Sequence, residues 1–242
     1  MAMSRNLWNK KCKCPACGGE FEATRLRTSS IKVKSRESDF GSLYEAECAY
    51  FYAVTACPHC TYAARNEHFD DLRLEYEAKI REACQKLKAL PADRKPGIFE
   101  PGELGAEAAV KRHELAIAFA RMRFHPDLSD LAGLHMHLVW IHRFTGQAEK
   151  ERQAMEAAAK AYEEFFLKGH KLPEKLGEPG VLYLIGELKR RLGQFREARQ
   201  FFEKALASRE IKSFPNIESM TRDRMLEAKE QMEKVQGTLP AA

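Results

Sequence analysis

Two Cys-x-x-Cys motifs, at residues 14–17 and 57–60, carry the strongest chemical signal in this sequence. Each motif can present two thiolates to one metal ion, and two such motifs complete the tetrahedral four-sulfur set that zinc accepts. The 39 residues between Cys17 and Cys57 exceed the roughly 15 to 20 of a minimal zinc site, but closing a longer loop costs little more. We therefore predict that Cys14, Cys17, Cys57 and Cys60 bind one structural Zn²⁺ ion.

The remaining cysteines leave one alternative open. Cys12 extends the first motif to Cys-x-Cys-x-x-Cys, so Cys12 could replace Cys14 as a ligand. Pairing by motif favours Cys14. Cys48 lies within the segment 46–50 and Cys84 lies on the apolar face of a predicted helix, so we expect both to be ordinary thiols.

The second motif also permits a redox interpretation. Cys57-Pro-His-Cys60 is the active-site tetrapeptide of certain disulfide oxidoreductases, in which a strand precedes the motif and a following helix lowers the pKa of the first thiol. A strand-like run at 50–55 and a helix-like run after the motif are compatible with it. Two observations argue against the redox interpretation. The first cysteine motif would have no role in it, and no βαβ pattern follows residue 66. Thiol redox chemistry is therefore our third hypothesis.

The elements that must position the cysteines are short and β-rich. Alternating apolar and polar residues predict strands at 20–26 and 30–34, and a third strand-like run covers 50–55. Gly18 and Gly19, directly after the first motif, predict a tight turn. The extra length between the motifs requires a hairpin with an insertion around residues 38–44.

The sequence changes to helical periodicity near residue 66. A long amphipathic helix is predicted up to residue 90, where a linker rich in Pro and Gly follows. We therefore predict a mainly α chain with a zinc-ribbon-like module at 1–65, a connecting helix and linker at 66–102, and a tetratricopeptide-like domain of antiparallel α-hairpins at 103–242. Six helices are predicted in this last domain: 103–124, 127–144, 147–168, 178–192, 195–209 and 216–236.

One segment of the helical part, residues 182–206, resembles a tetratricopeptide repeat. Gly186 and Ala198 permit two helices to approach closely, and Phe202 fills the space between them. A degenerate second copy covers 138–158, with Gly146 in the turn, although its spacing exceeds the period of that repeat. An irregular helical bundle is the alternative. The residues at the favoured spacings are Leu182, Ile185, Gly186, Gly193, Ala198, Phe202 and Ala205.

Basic residues concentrate near the cysteines. The chain carries a net charge of +5, and residues 1–65 hold ten Lys or Arg against six Asp or Glu, which is +4. No block of five or six like charges occurs, so an ordinary solvated surface explains this excess. The alternative is nucleic-acid binding by the basic head, with Trp8, Tyr50 and Tyr52 for base stacking. The basic stripe would comprise Lys10, Lys11, Lys13, Arg25, Arg27, Lys32, Lys34 and Arg36.

Apolar runs in this sequence are short. None has the length of a secretory signal or of a membrane-spanning helix, so we expect a cytoplasmic protein without a membrane partner. In a reducing compartment, seven cysteines are expected to be metal ligands, buried thiols or redox groups and not structural disulfides. No pattern in the sequence predicts the oligomeric state.

Catalytic motifs are lacking in the sequence. It has no Gly-rich phosphate loop, nucleophile elbow or His-Glu-x-x-His helix. His135, His137 and His142 do not have the i, i+4 spacing of a helical metal site, so we expect packing or surface roles for them. We expect a binding or scaffolding protein and not an enzyme, with a protein or peptide partner on the stacked helices.

The first motif, the segment Ser38-Asp39-Phe40 with Tyr44, and residues 52–64 together resemble a bacterial family of uncharacterised proteins. Its members join an N-terminal four-cysteine segment to tetratricopeptide-like helices. In that family a Gly often follows the second motif and a Pro often precedes the Tyr-containing strand, where this chain has Thr61 and Ala49. The resemblance implies a fold and assigns no activity.

Overall fold

The computed structural model describes residues 5–73, 77–89, 101–169 and 172–237. Its N-terminal part, the head, contains short strands in three separate antiparallel pairs: β1 with β2, β3 with β4, and β5 with β6. Three short 3₁₀ turns connect or follow them, at Thr28–Ser30, Ala49–Tyr52 and Phe69–Asp71. The strands are β1 (Leu7–Lys13), β2 (Glu20–Leu26), β3 (Val33–Arg36), β4 (Ser42–Tyr44), β5 (Val54–Ala56) and β6 (Ala63–Arg65).

The rest of the described chain is helical. Successive helices pack as antiparallel hairpins, with α3 on α4 and α5 on α6, and α7 packs on α6. The chain turns at Gly146 in the first hairpin and at Gly193 in the second. The helices are α1 (Ala78–Lys88), α2 (Ala106–Met122), α3 (Leu128–Phe144), α4 (Ala148–Leu167), α5 (Gly177–Arg191), α6 (Phe195–Ala207) and α7 (Pro215–Gly237).

The mainly α fold with a small β-rich N-terminal part is confirmed. The six helices predicted after residue 103 correspond to α2–α7, and every end agrees within three residues. The close packing predicted for residues 182–206 is also confirmed. A Cβ atom at Gly186 would lie 2.6 Å from the Phe202 ring and 3.2 Å from the Ala198 carbonyl oxygen, so only glycine permits this contact between α5 and α6.

In the head, the predicted bounds are correct for one strand and differ from the structure for the others. The strand at 20–26 is β2, but the predicted strand at 30–34 is shifted to β3. The strand predicted at 50–55 is wrong in its first half, where a 3₁₀ turn precedes β5. In this turn Tyr52 is buried and its hydroxyl accepts the Leu104 N–H at 3.2 Å, so tertiary packing overrides the β propensity of the aromatic residues.

The long helix predicted from residue 66 is also wrong in its first part. The 3₁₀ turn Phe69–Asp71 lies within the predicted span, and α1 begins only at Ala78. The buried Phe69 ring packs on Tyr62 and Phe21, so its apolar character reflects the core of the head. The end of that predicted helix at residue 90 and the linker up to residue 100 lie outside the described residues.

One hydrophobic core joins the head to the helices. It contains Cys14, Cys57 and Cys60 of the cysteine motifs together with buried side chains of α1 to α5, such as Ile80 and Phe119. β5 and β6 pack directly on α2. The cysteine motifs therefore lie against the helices and not on a separate, solvent-surrounded module. Among the described helices, none has the length and apolar character needed to cross a membrane.

Candidate metal centre

Each cysteine motif occupies the turn of an antiparallel strand pair. The six residues 14–19 join β1 to β2, and the six residues 57–62 join β5 to β6. The two turns share a hydrogen-bond pattern. The Cys14 N–H donates to the Gly19 carbonyl at 2.9 Å, and the Cys57 N–H donates to the Tyr62 carbonyl at 2.8 Å. Both turns therefore present their cysteine side chains in the same way.

The two turns bring all four predicted ligands together, with their Sγ atoms all within 4.8 Å of one another. Contacts connect the two turns, with 3.6 Å between the sulfurs of Cys14 and Cys60 and 3.7 Å between those of Cys17 and Cys57. Cys17 is partly exposed and the other three are buried. All seven cysteines of the chain are free thiols. The four cysteines form a group that can hold one metal ion.

Hydrogen bonding within this group favours a thiolate at Cys57. Donation from the thiols of Cys14 and Cys60 lowers the pKa of Cys57 to about 2, and the His59 N–H lies 3.4 Å from its sulfur. The hydrogen bond to Cys57 in turn raises the pKa of Cys14 above that of an ordinary thiol. A metal cation that binds the group displaces thiol protons, so binding would be linked to proton release.

A fifth cysteine lies beside the group on the helical side. Cys84, on α1, is buried, and its interaction with the Cys60 thiol lowers the pKa of Cys84. The four-sulfur group does not include Cys84. Helical periodicity in the sequence placed Cys84 on an apolar helix face. It could not show that this face packs against the second cysteine motif. Groups that hydrogen-bond metal ligands orient them and tune metal affinity.

The two other cysteines lie outside the group. Cys12 is on β1, where its thiol lies 3.6 Å from the Lys10 carbonyl oxygen of its own strand, and burial raises its pKa. Of the alternatives Cys12 and Cys14, the structure brings Cys14 to the other three sulfurs. Cys48 is buried, and the lost hydration raises its pKa to about 11.

The second motif lacks the setting that the redox hypothesis requires. In disulfide oxidoreductases a helix begins at the motif and stabilises the first thiolate. Here the strand β6 follows the motif, and the next described α-helix begins at Ala78. The helix-like segment expected directly after the motif is therefore wrong. His59, within the motif, donates its ring N–H to the Glu20 carbonyl at 2.9 Å, which connects the second turn to the start of β2.

The three histidines of α3 pack within the protein. His135 and His142 are each 7% exposed, and the His137 ring packs against Tyr50 and Trp140 with centroids 5.3 and 5.8 Å away. Their predicted packing role is confirmed. No pattern in the sequence indicated that His137 also pairs with His113 of α2, because 23 residues lie between them along the chain.

The basic stripe of the head is partly neutralised by its neighbours. On the paired strands, Lys11 lies opposite Glu22 and Lys13 lies opposite Glu20. Of the three aromatic side chains suggested for base stacking, Trp8 is exposed. Tyr52 is buried, and the Tyr50 ring lies 4.7 Å from that of Trp140.

A second contact region joins the head to the helices through the loop between β3 and β4. The carboxylate of Asp39 is fully buried and accepts two hydrogen bonds from the Arg143 guanidinium, at 3.0 and 2.6 Å. Burial raises the pKa of Asp39, but the hydrogen bonds and charge of Arg143 prevail and lower it below its usual value. Arg143 also donates to Glu151 at 2.7 Å.

The same loop binds α5 through a network around a buried carboxylate. Glu187 is fully buried and accepts from Ser38 at 2.6 Å and from Arg191 at 2.8 Å. Arg191 also pairs with Glu37 at 3.0 Å, and the Tyr183 hydroxyl donates to the Ser38 carbonyl at 2.7 Å. The sequence analysis used Ser38 and Asp39 only for a family resemblance, and their partners lie more than 100 residues away.

Fold and site together define a protein in which two cysteine turns form a four-sulfur group and pack on α-helical hairpins. The family DUF2225, described as an uncharacterized protein conserved in bacteria, matches residues 7–228. This chain belongs to that family. No curated protein and no solved structure shows significant similarity to the chain.

Proposed function

We propose that this protein is a zinc-stabilised binding module, in which Cys14, Cys17, Cys57 and Cys60 hold one structural Zn²⁺ ion. The observation that carries the proposal is the convergence of four thiols from two equivalent turns within 4.8 Å. Four cysteine sulfurs are a soft donor set, which favours zinc over hard cations such as Mg²⁺ or Ca²⁺. With all four positions filled by protein, the ion has no open site for substrate or water, and its role is structural.

The position of the group supports a structural role. Three of its cysteines belong to the hydrophobic core shared by the head and the helices. A bound ion would cross-link β1–β2 to β5–β6, the strand pair that packs on α2, and would contribute on the order of 10 kcal/mol to folding. The fixed head then holds its Glu37–Phe40 loop between α3 and α5.

The binding role belongs to the helical hairpins. Packed hairpins of this type expose an extended surface that can receive a peptide or a protein segment. In this chain the loop with Asp39 fills part of that surface, where it is held by Arg143 and Arg191. The remaining surface is available for a partner, and the proposed role is scaffolding and not catalysis.

The metal content of the purified chain tests the zinc site. Wild-type protein prepared under reducing conditions should contain one zinc per chain by inductively coupled plasma mass spectrometry. Cys57→Ser should lose most of the metal, whereas Cys12→Ser, outside the group, should retain it. Wild-type protein without stoichiometric metal, or equal metal in both variants, would contradict the proposal.

A further inference from the structure

A cavity of about 880 Å³ lies between the head and the helices, next to the Asp39 loop. This groove cavity has the size of a ligand pocket. Its walls come from the segment 36–40, from α3, α4 and α5, and from the first turns of α7. The wall is rich in aromatic and aliphatic side chains: Phe40, Trp140, Tyr162, Leu184, Phe214 and Ile217.

One polar group in this wall has no hydrogen-bond partner among the described residues. The Tyr162 side chain is only 7% exposed, and its hydroxyl bonds to none of them. The hydroxyl is not one of the fully buried atoms that lack a partner, so it keeps access to the cavity. A ligand with a hydrogen-bonding group in the groove cavity would satisfy it.

Two cationic side chains line the cavity. Arg36 and Lys175 line it, are exposed, and form no ion pair with the described residues. The N-terminus of the 23-residue helix α7 also lines it, and the first backbone N–H groups of a helix favour an anion. Glu37, the acidic residue of the lining, is already paired with Arg191 at 3.0 Å.

The adjoining loop shows which chemistry this surface binds. Its acidic residues, Glu37 and Asp39, pair with Arg191 and Arg143, and its Phe40 ring lies 5.5 Å from that of Tyr183. An acidic segment with an aromatic residue therefore already occupies the neighbouring part of the surface. The groove cavity continues that surface with aromatic walls and unpaired cations.

We propose that the groove cavity binds an acidic peptide segment of a partner protein. An aromatic or large aliphatic side chain of the peptide fills the apolar part, its carboxylates lie near Arg36 and Lys175, and a backbone or side-chain acceptor receives the Tyr162 hydroxyl. This inference rests on the proposed binding function and specifies its ligand and its place.

Fluorescence anisotropy with two labelled hexapeptides tests it on the full-length, zinc-loaded chain. One peptide contains three Asp-Phe repeats and the other three Lys-Phe repeats. The Asp peptide should bind about tenfold more tightly than the Lys peptide, because the cations of the cavity attract one and repel the other. The zinc content of each sample, measured in parallel, keeps the metal proposal separate from this one.

Matched variants locate the site. Arg36→Glu should weaken binding of the Asp peptide about tenfold, whereas Lys34→Glu, with the same charge change two residues earlier on β3, should have little effect. Ser213→Trp, which fills an exposed edge of the cavity, should also weaken binding, whereas Ser29→Trp in a comparable 3₁₀ turn of the head should not.

Two results would overturn the inference. If neither peptide binds the zinc-loaded wild type, the acidic-peptide assignment is wrong even when the zinc site is confirmed. If a peptide binds but Arg36→Glu and Ser213→Trp act like their controls, the chain binds peptides elsewhere and the groove cavity is not the site.

Discussion

Gly18 and Thr61 occupy equivalent positions in the two cysteine turns, and both have left-handed backbone angles, with φ of +73° and +63°. Each N–H donates to the carbonyl of the first cysteine of its motif, Gly18 to Cys14 at 2.8 Å and Thr61 to Cys57 at 2.9 Å. Glycine adopts this conformation without strain, whereas a β-branched residue does not. The hydroxyl of Thr61 is also buried and has no hydrogen-bond partner among the residues that the structure describes.

Replacement of Thr61 by Gly should therefore stabilise the protein. The change removes backbone strain and a buried unsatisfied hydroxyl, and we expect a gain of about 1 kcal/mol in the free energy of unfolding. Gly18→Ala should have the opposite effect, a loss of about 1 kcal/mol, because a Cβ there has free space but an unfavourable φ. Urea unfolding of the zinc-loaded proteins measures both. A destabilised Thr61→Gly variant would show that the threonine side chain contributes more by packing than it costs.

Cys84→Ala should weaken zinc binding without removing a ligand. Loss of the neighbouring Cys84 thiol removes support from Cys60, a ligand of the proposed site, and such losses reduce metal affinity about tenfold or more. Competition with a chromophoric chelator gives the affinity. Cys48→Ala is the matched control, because it also truncates a buried thiol but lies outside the four-sulfur group. Equal zinc affinity of the two variants would argue against a tuning role for Cys84.

Asp39→Asn should destabilise the contact between the head and α3. Arg143 would lose a buried ionic partner, and breaking such a pair costs about 3 kcal/mol. Because Arg143 holds the pKa of Asp39 below its unfolded value, this stability is present above about pH 4 and is lost as the pH falls through the lower, folded-state pKa.

The pH dependence of urea unfolding measures this contribution. Wild type should lose more stability than Asp39→Asn as the pH is lowered from 5 to 3. Asp223→Asn, at an exposed position, should behave like the wild type. Parallel pH profiles for wild type and Asp39→Asn would exclude the ion pair as the source of acid sensitivity.

His113 should remain neutral far below the pH at which a free histidine titrates. It is fully buried, which lowers its pKa to about 4, and its Nδ1–H donates to the Ala109 carbonyl at 2.8 Å. Its Nε2 lies 3.3 Å from Nδ1 of His137, whose pKa burial also lowers. Between pH 6.5 and pH 4 His113 is protonated in the unfolded chain but neutral in the folded protein. The free energy of unfolding should therefore fall by about 3 kcal/mol over this range.

Imidazole ¹⁵N NMR checks this prediction directly. The His113 ring should keep the shifts of a neutral tautomer, with the proton on Nδ1, down to about pH 4. Protonation near pH 6.5 in the folded protein would contradict both the low pKa and the neutral pairing with His137.

Local information in the sequence determined the four cysteines of the candidate site and the helices. The spacing of Cys14 with Cys17 and of Cys57 with Cys60 is a property of two short turns, each closed by its own backbone hydrogen bonds. Helix periodicity likewise depends on neighbours three and four residues apart, which is why α2–α7 agree with prediction within three residues. The family was recognisable from short motifs for the same reason.

Only the tertiary structure decided the contacts between distant segments. Asp39 meets Arg143 across 104 residues, and Cys84 meets Cys60 only because α1 folds back on the cysteine turns. The 3₁₀ turn at Ala49–Tyr52 replaced a predicted strand because burial of Tyr52 under Leu104 outweighs the β propensity of its sequence. Such contacts depend on how helices and head pack together, and the free energy of that packing is not encoded in any short window of sequence.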